Sequence, residues 1–312
     1  MKVGVVGLGD IAEKAYLPVI GARRDVVLHL ATRNKDALQR IGGRYHIPEE
    51  HRHRDVNGLI KAGVEAVFVH TATESHYDIV KALLEHGVHV YVDKPVDYFL
   101  ERTKQLTVLA EQQRRLLTVG FNRRFAPMYR RLHGEESPDI VLMQKNRVNL
   151  ARDVRTVILD DFIHVVDTLR FYSSEPLQDV HVQWKRTDAG LAHVVVQLVD
   201  QDCTAIGMMN RDSGATEETL ELMRPERKWK VNNLREMIEF KAGEEKRIRT
   251  GDWTSVGDVR GFTAIVDSFL SAVREVRGGD KPIPAEYQQA MWDALTTHAV
   301  CEEIVRRIEA NG

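Results

Sequence analysis

The chain of 312 residues is 43% hydrophobic and 29% charged, with 44 Lys and Arg against 46 Asp and Glu and a net charge of −2. Such a length suits two domains better than one core, and the charge balance gives no electrostatic reason to expect nucleic acid or an anionic membrane as partner. No apolar run nears the ~20 residues of a bilayer span, and two distant cysteines outside any CxxC pattern, Cys203 and Cys301, speak against a disulfide framework and for a reducing cytoplasm.

The opening MKVGVVGLGD meets an Asp after a few apolar residues, so it lacks the apolar core of a signal peptide and reads as a buried strand. Further apolar runs follow at 26–31, 65–70, 88–93 and 116–120, separated by amphipathic stretches such as DIVKALLEHG at 78–87. Strands apolar on both faces and alternating with helices predict a doubly wound parallel sheet. Beyond 120 the texture changes. A helix-like RFAPMYRRLH (124–133) leads to a strand pattern at 139–149, and then to LDDFIHVVDT (159–168). From 178 to about 241 partial alternation predicts an antiparallel meander with one packed and one open face. Helices at about 262–276 and 285–309 close the chain, the second entered through Pro284. The expectation is an α/β domain over 1–121 followed by an α+β domain over 122–312 with an open, mainly antiparallel sheet.

Gly7-x-Gly9-x-x-Ala12, with Asp10 and Ile11 inside it, directly follows the first strand and opens a helix. The first glycine permits a tight turn, the second lets backbone approach a pyrophosphate, and the small third residue allows close helix–sheet packing. In this βαβ setting the pattern predicts dinucleotide binding in a Rossmann domain. After the second strand the chain reads Thr32-Arg33-Asn34, with no carboxylate before Asp36 to bond ribose hydroxyls. Arg33 suits a 2′-phosphate, so NADP is expected ahead of NAD, the alternative being that Arg33 is a solvated loop residue.

LDDFIHVVDT places Asp160, Asp161, His164 and Asp167 among apolar neighbours. The spacing alone is compatible with a metal site, an acid/base pair or salt-bridged groups on a helix rim. Asp93-Lys94-Pro95 follows the 88–93 run, and HTATESH (70–76) ends the run before it, directing Thr71 and Thr73 towards a cofactor. His76 reads as a residue that caps or packs the following helix. EEHRHRD (49–55) reads as a solvated charge run, and Arg152 or Arg155 as a contact to an anionic or polyhydroxylated substrate or, equally, as surface.

The GxGxxA turn, the T-x-x-x-x-H segment, the D-K-P tripeptide, GFNRRF at 120–125 and Asp160-x-x-x-His164, in that order, resemble the glucose–fructose oxidoreductase / inositol dehydrogenase (Gfo/Idh/MocA) family along nearly the whole chain. The resemblance implies an NAD(P)-dependent dehydrogenase or reductase acting on a hydroxyl or carbonyl carbon of a sugar, polyol or related small molecule. Lys94, Asp160 and His164 would then be catalytic, and Asn122, Arg124 and Phe162 would join them around the substrate. Gly7, Gly9, Asp10, Ile11, Ala12, Thr32, Arg33, Asn34, Thr71, Thr73, His76 and Lys94 would hold the cofactor. The family's open sheet implies a homodimer or homotetramer. Departures are Ala72 for the common proline, Asp93 for glutamate and Phe162 for glycine, which imply a reshaped pocket. Within this reading His164 is the general base or acid, Lys94 stabilises negative charge on the substrate oxygen, and Asp160 orients the imidazole or a hydroxyl. A metal is not expected, because Lys94 would repel a cation and hydride transfer needs none. Glycoside cleavage with a retained nicotinamide, or a non-catalytic cofactor-sensing role, are the competing functions.

Overall fold

The structure, a computed structural model, describes residues 1–133, 137–173, 177–277 and 282–310. The chain forms two compact units, one made of Met1–Gly120 with Phe262–Thr296, the other of Phe121–Gly261 with the residues from Thr297 onward. Among the described residues no helix is long and apolar enough to cross a membrane.

In the first unit β1 (Lys2–Val6), β2 (Val27–Ala31), β3 (Arg52–His53), β4 (Ala66–Val69), β5 (His89–Val92) and β6 (Leu117–Val119) make an all-parallel sheet in the order β3-β2-β1-β4-β5-β6. The central strands are buried throughout, which explains their continuous rather than alternating apolar runs. The order reverses between β1 and β4, and ligands of such sheets sit outside the carboxyl ends of the strands at that reversal. The helix Phe262–Glu275 also belongs to this unit. Phe262 packs edge-on to Tyr16, and Phe269 meets Phe68 and Tyr91 at 5.2 and 5.7 Å between ring centroids.

The short β3 corrects the reading of EEHRHRD as a solvated run. His53 stacks on His29 of β2, with His29 Nδ1 3.1 Å from His53 Nε2, and the His51 ring packs tilted against His29. Burial, and then His51 and His53, push the His29 ring down to about 4. Histidines are polar enough to read as surface in a charged segment, yet their rings pack as aromatics once a strand aligns them.

In the second unit β7 (Ile140–Asn146), β8 (Asp179–Thr187), β9 (Gly190–Val199), β10 (Thr204–Asn210), β11 (Glu217–Arg224), β12 (Arg227–Asn232), β13 (Glu236–Lys241) and β14 (Glu244–Arg249) form one sheet. Its order is β14-β13-β12-β11-β7-β10-β9-β8, with only β7 and β10 parallel among its neighbouring pairs. The expected meander is therefore interrupted, because β7 inserts between β10 and β11. Strand β14, EEKRIR, carries no apolar alternation that would have announced it.

The helix Ile163–Tyr172 packs on β7 and β10. Facing it, the sheet presents cross-strand rows: Leu222, Val141, Ala205 and Leu198, then Leu220, Met143, Gly207 and Val196. A side chain at Gly207 would come within 2.6 Å of Val165 and 2.8 Å of Leu169, so the glycine sets how closely helix and sheet approach. The next row on the same face changes character. Glu218 pairs with Lys145 directly across the β11–β7 ladder, both buried.

Candidate functional site

In the first unit the candidate cofactor residues begin with the turn after β1. Gly7 has φ +86°, and a Cβ there would lie 2.5 Å from the Thr71 nitrogen, so only glycine fits. Gly9 differs: an added Cβ would meet nothing within 4 Å, because it would project into open space. That space belongs to a cleft of about 630 Å³ at the carboxyl ends of β1, β2 and β4. Gly7, Gly9, Thr32, Arg33, Asn34 and Thr71 line it, and so do Arg54 and Ser75, which the sequence did not single out. A bare Gly9 over a cleft at the reversal point fits a dinucleotide whose pyrophosphate needs close backbone approach. After the turn, Ala12–Tyr16 winds as a wide π-type turn, with Ala12 buried.

The other expected cofactor residues have different surroundings. Asp10 is exposed and pairs with Lys14 at 2.6 Å, and Ile11 is also exposed. Asn34 caps the helix Lys35–Arg44, accepting from Ala37 N. Thr73 opens the one-turn helix Thr73–Ser75. His76 is buried with Nδ1 2.9 Å from the Pro95 carbonyl and Nε2 2.9 Å from the Thr71 carbonyl, tying the segment after β4 to that after β5. Lys94, half-buried, follows β5, and its backbone nitrogen donates to the Asp93 carboxylate.

In the second unit the segment Val157–Phe162 is a π-type helix that runs into the α-helix Ile163–Tyr172, so Asp160 and Asp161 sit in the wide turns and His164 just beyond them. Insertions of this kind are concentrated at functional sites. Asp161 is gripped by three cations: Lys145 at 2.5 Å, Arg147 through two hydrogen bonds of 2.9 Å, and Arg211 at 2.5 Å. Burial would raise its carboxyl, but Lys145 and Arg147 hold it well below the usual carboxylate range. Burial pushes the Lys145 ammonium down to about 7, with Arg123 acting in the same sense and Asp161 opposing.

His164 is 6% exposed, and Arg123 Nη1 lies 3.1 Å from its Nε2 and 3.4 Å from its Nδ1. A guanidinium only donates, so Arg123 is the donor in this contact. Arg123 also donates to Glu218 at 3.0 and 3.3 Å and to the Asn122 side-chain oxygen at 3.1 Å. Asn122 is buried, its amide donating to the Arg260 carbonyl at 2.7 Å. Arg124, expected around the substrate, grips Asp167 through contacts of 2.6 to 3.1 Å. Phe162 is wholly buried, so its influence on a ligand runs through packing. Arg155 pairs with Glu302 at 2.7 Å, and Arg152 is exposed.

Sequence reasoning thus missed Arg123, Lys145, Arg147, Arg211 and Glu218. The available signal was a run of polar residues at the end of otherwise apolar strands, where a charge inside a half-buried alternation marks a site. Among the described residues no group of three or more His, Cys, Asp or Glu is arranged to hold a metal.

Comparison with known proteins agrees with this layout. Residues 1–121 match the model of an oxidoreductase family with an NAD-binding Rossmann fold, and residues 127–242 match the YceM-like C-terminal domain. The YceM protein of Salmonella typhimurium is 32% identical over 308 residues, covering 95% of this chain and 99% of its own. A myo-inositol 2-dehydrogenase of Thermotoga maritima is 27% identical over 200 residues, 58% of this chain and 57% of its own. A crystal structure of a Gfo/Idh/MocA family oxidoreductase from Vibrio cholerae superposes with a TM-score of 0.89 at 29% identity, covering 99% of both chains.

The ion pair between Arg123 and Glu218 generates a pH prediction. Burial alone would raise the Glu218 carboxyl, yet Arg123 and then Lys145 hold it at about 2, below its ordinary 4.5. A depressed carboxylate adds stability that is present above 4.5 and lost as pH falls through 2. Glu218→Gln is expected to cost about 3–5 kcal/mol at pH 7, because it strands a buried guanidinium. In urea titrations the gap between wild type and variant should shrink from pH 5 to pH 2; a constant gap would remove Glu218 from the acid response.

Proposed function

The chain belongs to the NAD-binding Gfo/Idh/MocA oxidoreductase family, and from that premise we propose that it moves a hydride between a nicotinamide and a hydroxyl- or carbonyl-bearing carbon of a sugar, polyol or related compound. The similarity to a myo-inositol 2-dehydrogenase supports that substrate class. One observation carries the assignment of roles: His164 is a buried imidazole beside the Arg123 guanidinium, just past the widened turns that hold Asp160.

When bound, the nicotinamide supplies the hydride acceptor or donor. Gly7 and Gly9 admit its pyrophosphate to the N-terminal turn, and Thr71 and Ser75 border the same cleft. His164 takes the hydroxyl proton as the carbinol is oxidised and returns it in the reverse direction. Lys94 holds the substrate oxygen and offsets the negative charge that grows there, while Asp160 orients a neighbouring hydroxyl. Lys94→Ala and His164→Ala are expected to lower kcat by about 10²- to 10⁴-fold with cofactor affinity nearly unchanged. Stopped-flow turnover paired with cofactor titration tests this, and near-normal kcat in both variants would defeat it.

A 2′-phosphate on the cofactor is supported by the end of β2. Arg33 and Arg54 both line the cleft, and no carboxylate stands between Ala31 and Asn34. A pair of guanidinium groups there favours a 2′-phosphate. NADP(H) should bind about tenfold more tightly than NAD(H), with Arg33→Ala removing most of the difference; equal dissociation constants by fluorescence titration would overturn the preference.

Self-association through the open face of the second sheet completes the reading. Leu142, Val195, Ile206 and Met208 are half-buried on that face, opposite the one covered by the helix Ile163–Tyr172. Sedimentation at micromolar concentration should report a dimer or tetramer, and a monomer would refute it.

A further inference from the structure

The charges around His164 do not cancel. Arg123, Lys145, Arg147, Arg211 and Arg260 bring five cations to one end of the second unit. Against them stand Glu218 and Asp161, and Asp160 of the same turn makes a third carboxylate. Even with Asp160 counted, two formal positive charges are left over, although Lys145, held down to about 7, carries only part of its own at neutral pH.

The excess is local. Arg260 is joined to the Arg123 turn by its backbone, since its carbonyl accepts from Asn122 and the adjacent Gly261 abuts Asn122 and Ala126. The residue is exposed overall and its guanidinium makes no hydrogen bond or ion pair among the described residues; after partial burial, the charges that act on it most are Arg123 and Glu218. Lys145 is 1% exposed and shares Asp161 with two arginines. Cations of like sign repel, and a purely structural network approaches neutrality where its charges are buried, as those of Arg123, Lys145 and Arg211 are. An excess of cations beside a buried histidine is the arrangement that anions with several oxygens fit, and guanidinium groups match carboxylate and phosphate oxygens in pairs.

We propose that this end of the second unit binds an anionic group of the substrate, a carboxylate or a phosphate, so that the compound turned over is a sugar acid or sugar phosphate rather than a neutral polyol. The naming of the occupant as substrate rests on the oxidoreductase reading; the anion site itself does not. Arg123 links the two, because the same guanidinium that touches His164 belongs to the cationic set.

The test is calorimetric titration of the full chain saturated with its dinucleotide, which keeps the phosphate-binding turn of the first unit occupied. Inorganic phosphate, D-gluconate and D-glucose are the probes. Phosphate or gluconate should bind with a dissociation constant at least tenfold below that of glucose, and whichever anion is tighter identifies the group. Arg260→Gln, chosen because the side chain is exposed and supports no other residue, should weaken the anion tenfold or more and leave glucose unaffected. Lys145→Met supplies a second reading from inside the cluster, with the same direction expected. Glucose binding as tightly as both anions, or anion binding indifferent to both substitutions, overturns the proposal. Anion binding that responds to the substitutions in a protein without dehydrogenase activity on any gluconate or sugar phosphate would uphold the site and reject the oxidoreductase role of its occupant, so the two failures are separable.

Discussion

One carboxylate organises the second unit. Asp161 sits in a wide turn of its helix and meets cations from β7 and from the end of β10 at the same time. A helix end held by three charge-assisted contacts cannot rotate without breaking all of them. The residues on either side inherit that rigidity: Asp160 precedes the anchor, and His164 follows it by three positions. Such a network is a weak source of net stability, since removing four charged groups from water offsets much of the attraction. Its effect is geometric. It holds an imidazole still beside groups that would otherwise be free to relax, which is what a proton-transfer residue needs.

The first unit solves its problem with backbone rather than charge. Gly7 is compressed against Thr71 and His70, so the loop after β1 and the loop after β4 are in contact before any ligand arrives. Two residues later Gly9 faces emptiness. One glycine is demanded by the protein and the other by what the protein would hold. The distinction is invisible in a GxG pattern, where both letters are the same.

Much of the architecture was legible in the residues. Parallel strands buried on both faces write themselves as unbroken apolar runs, and the reversal point was marked by the glycines. The doubly wound sheet and the mainly antiparallel second sheet could therefore be read from one sequence. The insertion of β7 between β10 and β11 could not, because pairing partners distant in the chain leave no periodic trace. The packing of Phe262–Glu275 in the first unit was hidden for the same reason.

At the site, Asp160 and His164 were visible through their spacing, although an ordinary helix was assumed where the chain widens into π-type turns. Nothing in composition signals that insertion, which depends on how the turn fits its neighbours. Arg123 and Arg124 show the limit sharply. Adjacent arginines are equivalent on paper, yet one bonds His164 and Glu218 while the other is committed to Asp167. Likewise Lys145 and Glu218 become partners only through a ladder register that the sequence does not state.

The second sheet ends in strands of different design. On one side β14 is Glu244–Arg249, charged at five of six positions and lying largely in solvent; on the other, β8 shifts register between Lys185 and Arg186. Both devices spoil a strand as a template, the first by repulsion and desolvation and the second by twisting the hydrogen-bonding groups out of line. An eight-stranded sheet with two flat, apolar rims would invite polymerisation by adding strands from other copies end over end. By blunting both rims, this chain withholds the templates on which copies could add edge to edge into a fibre.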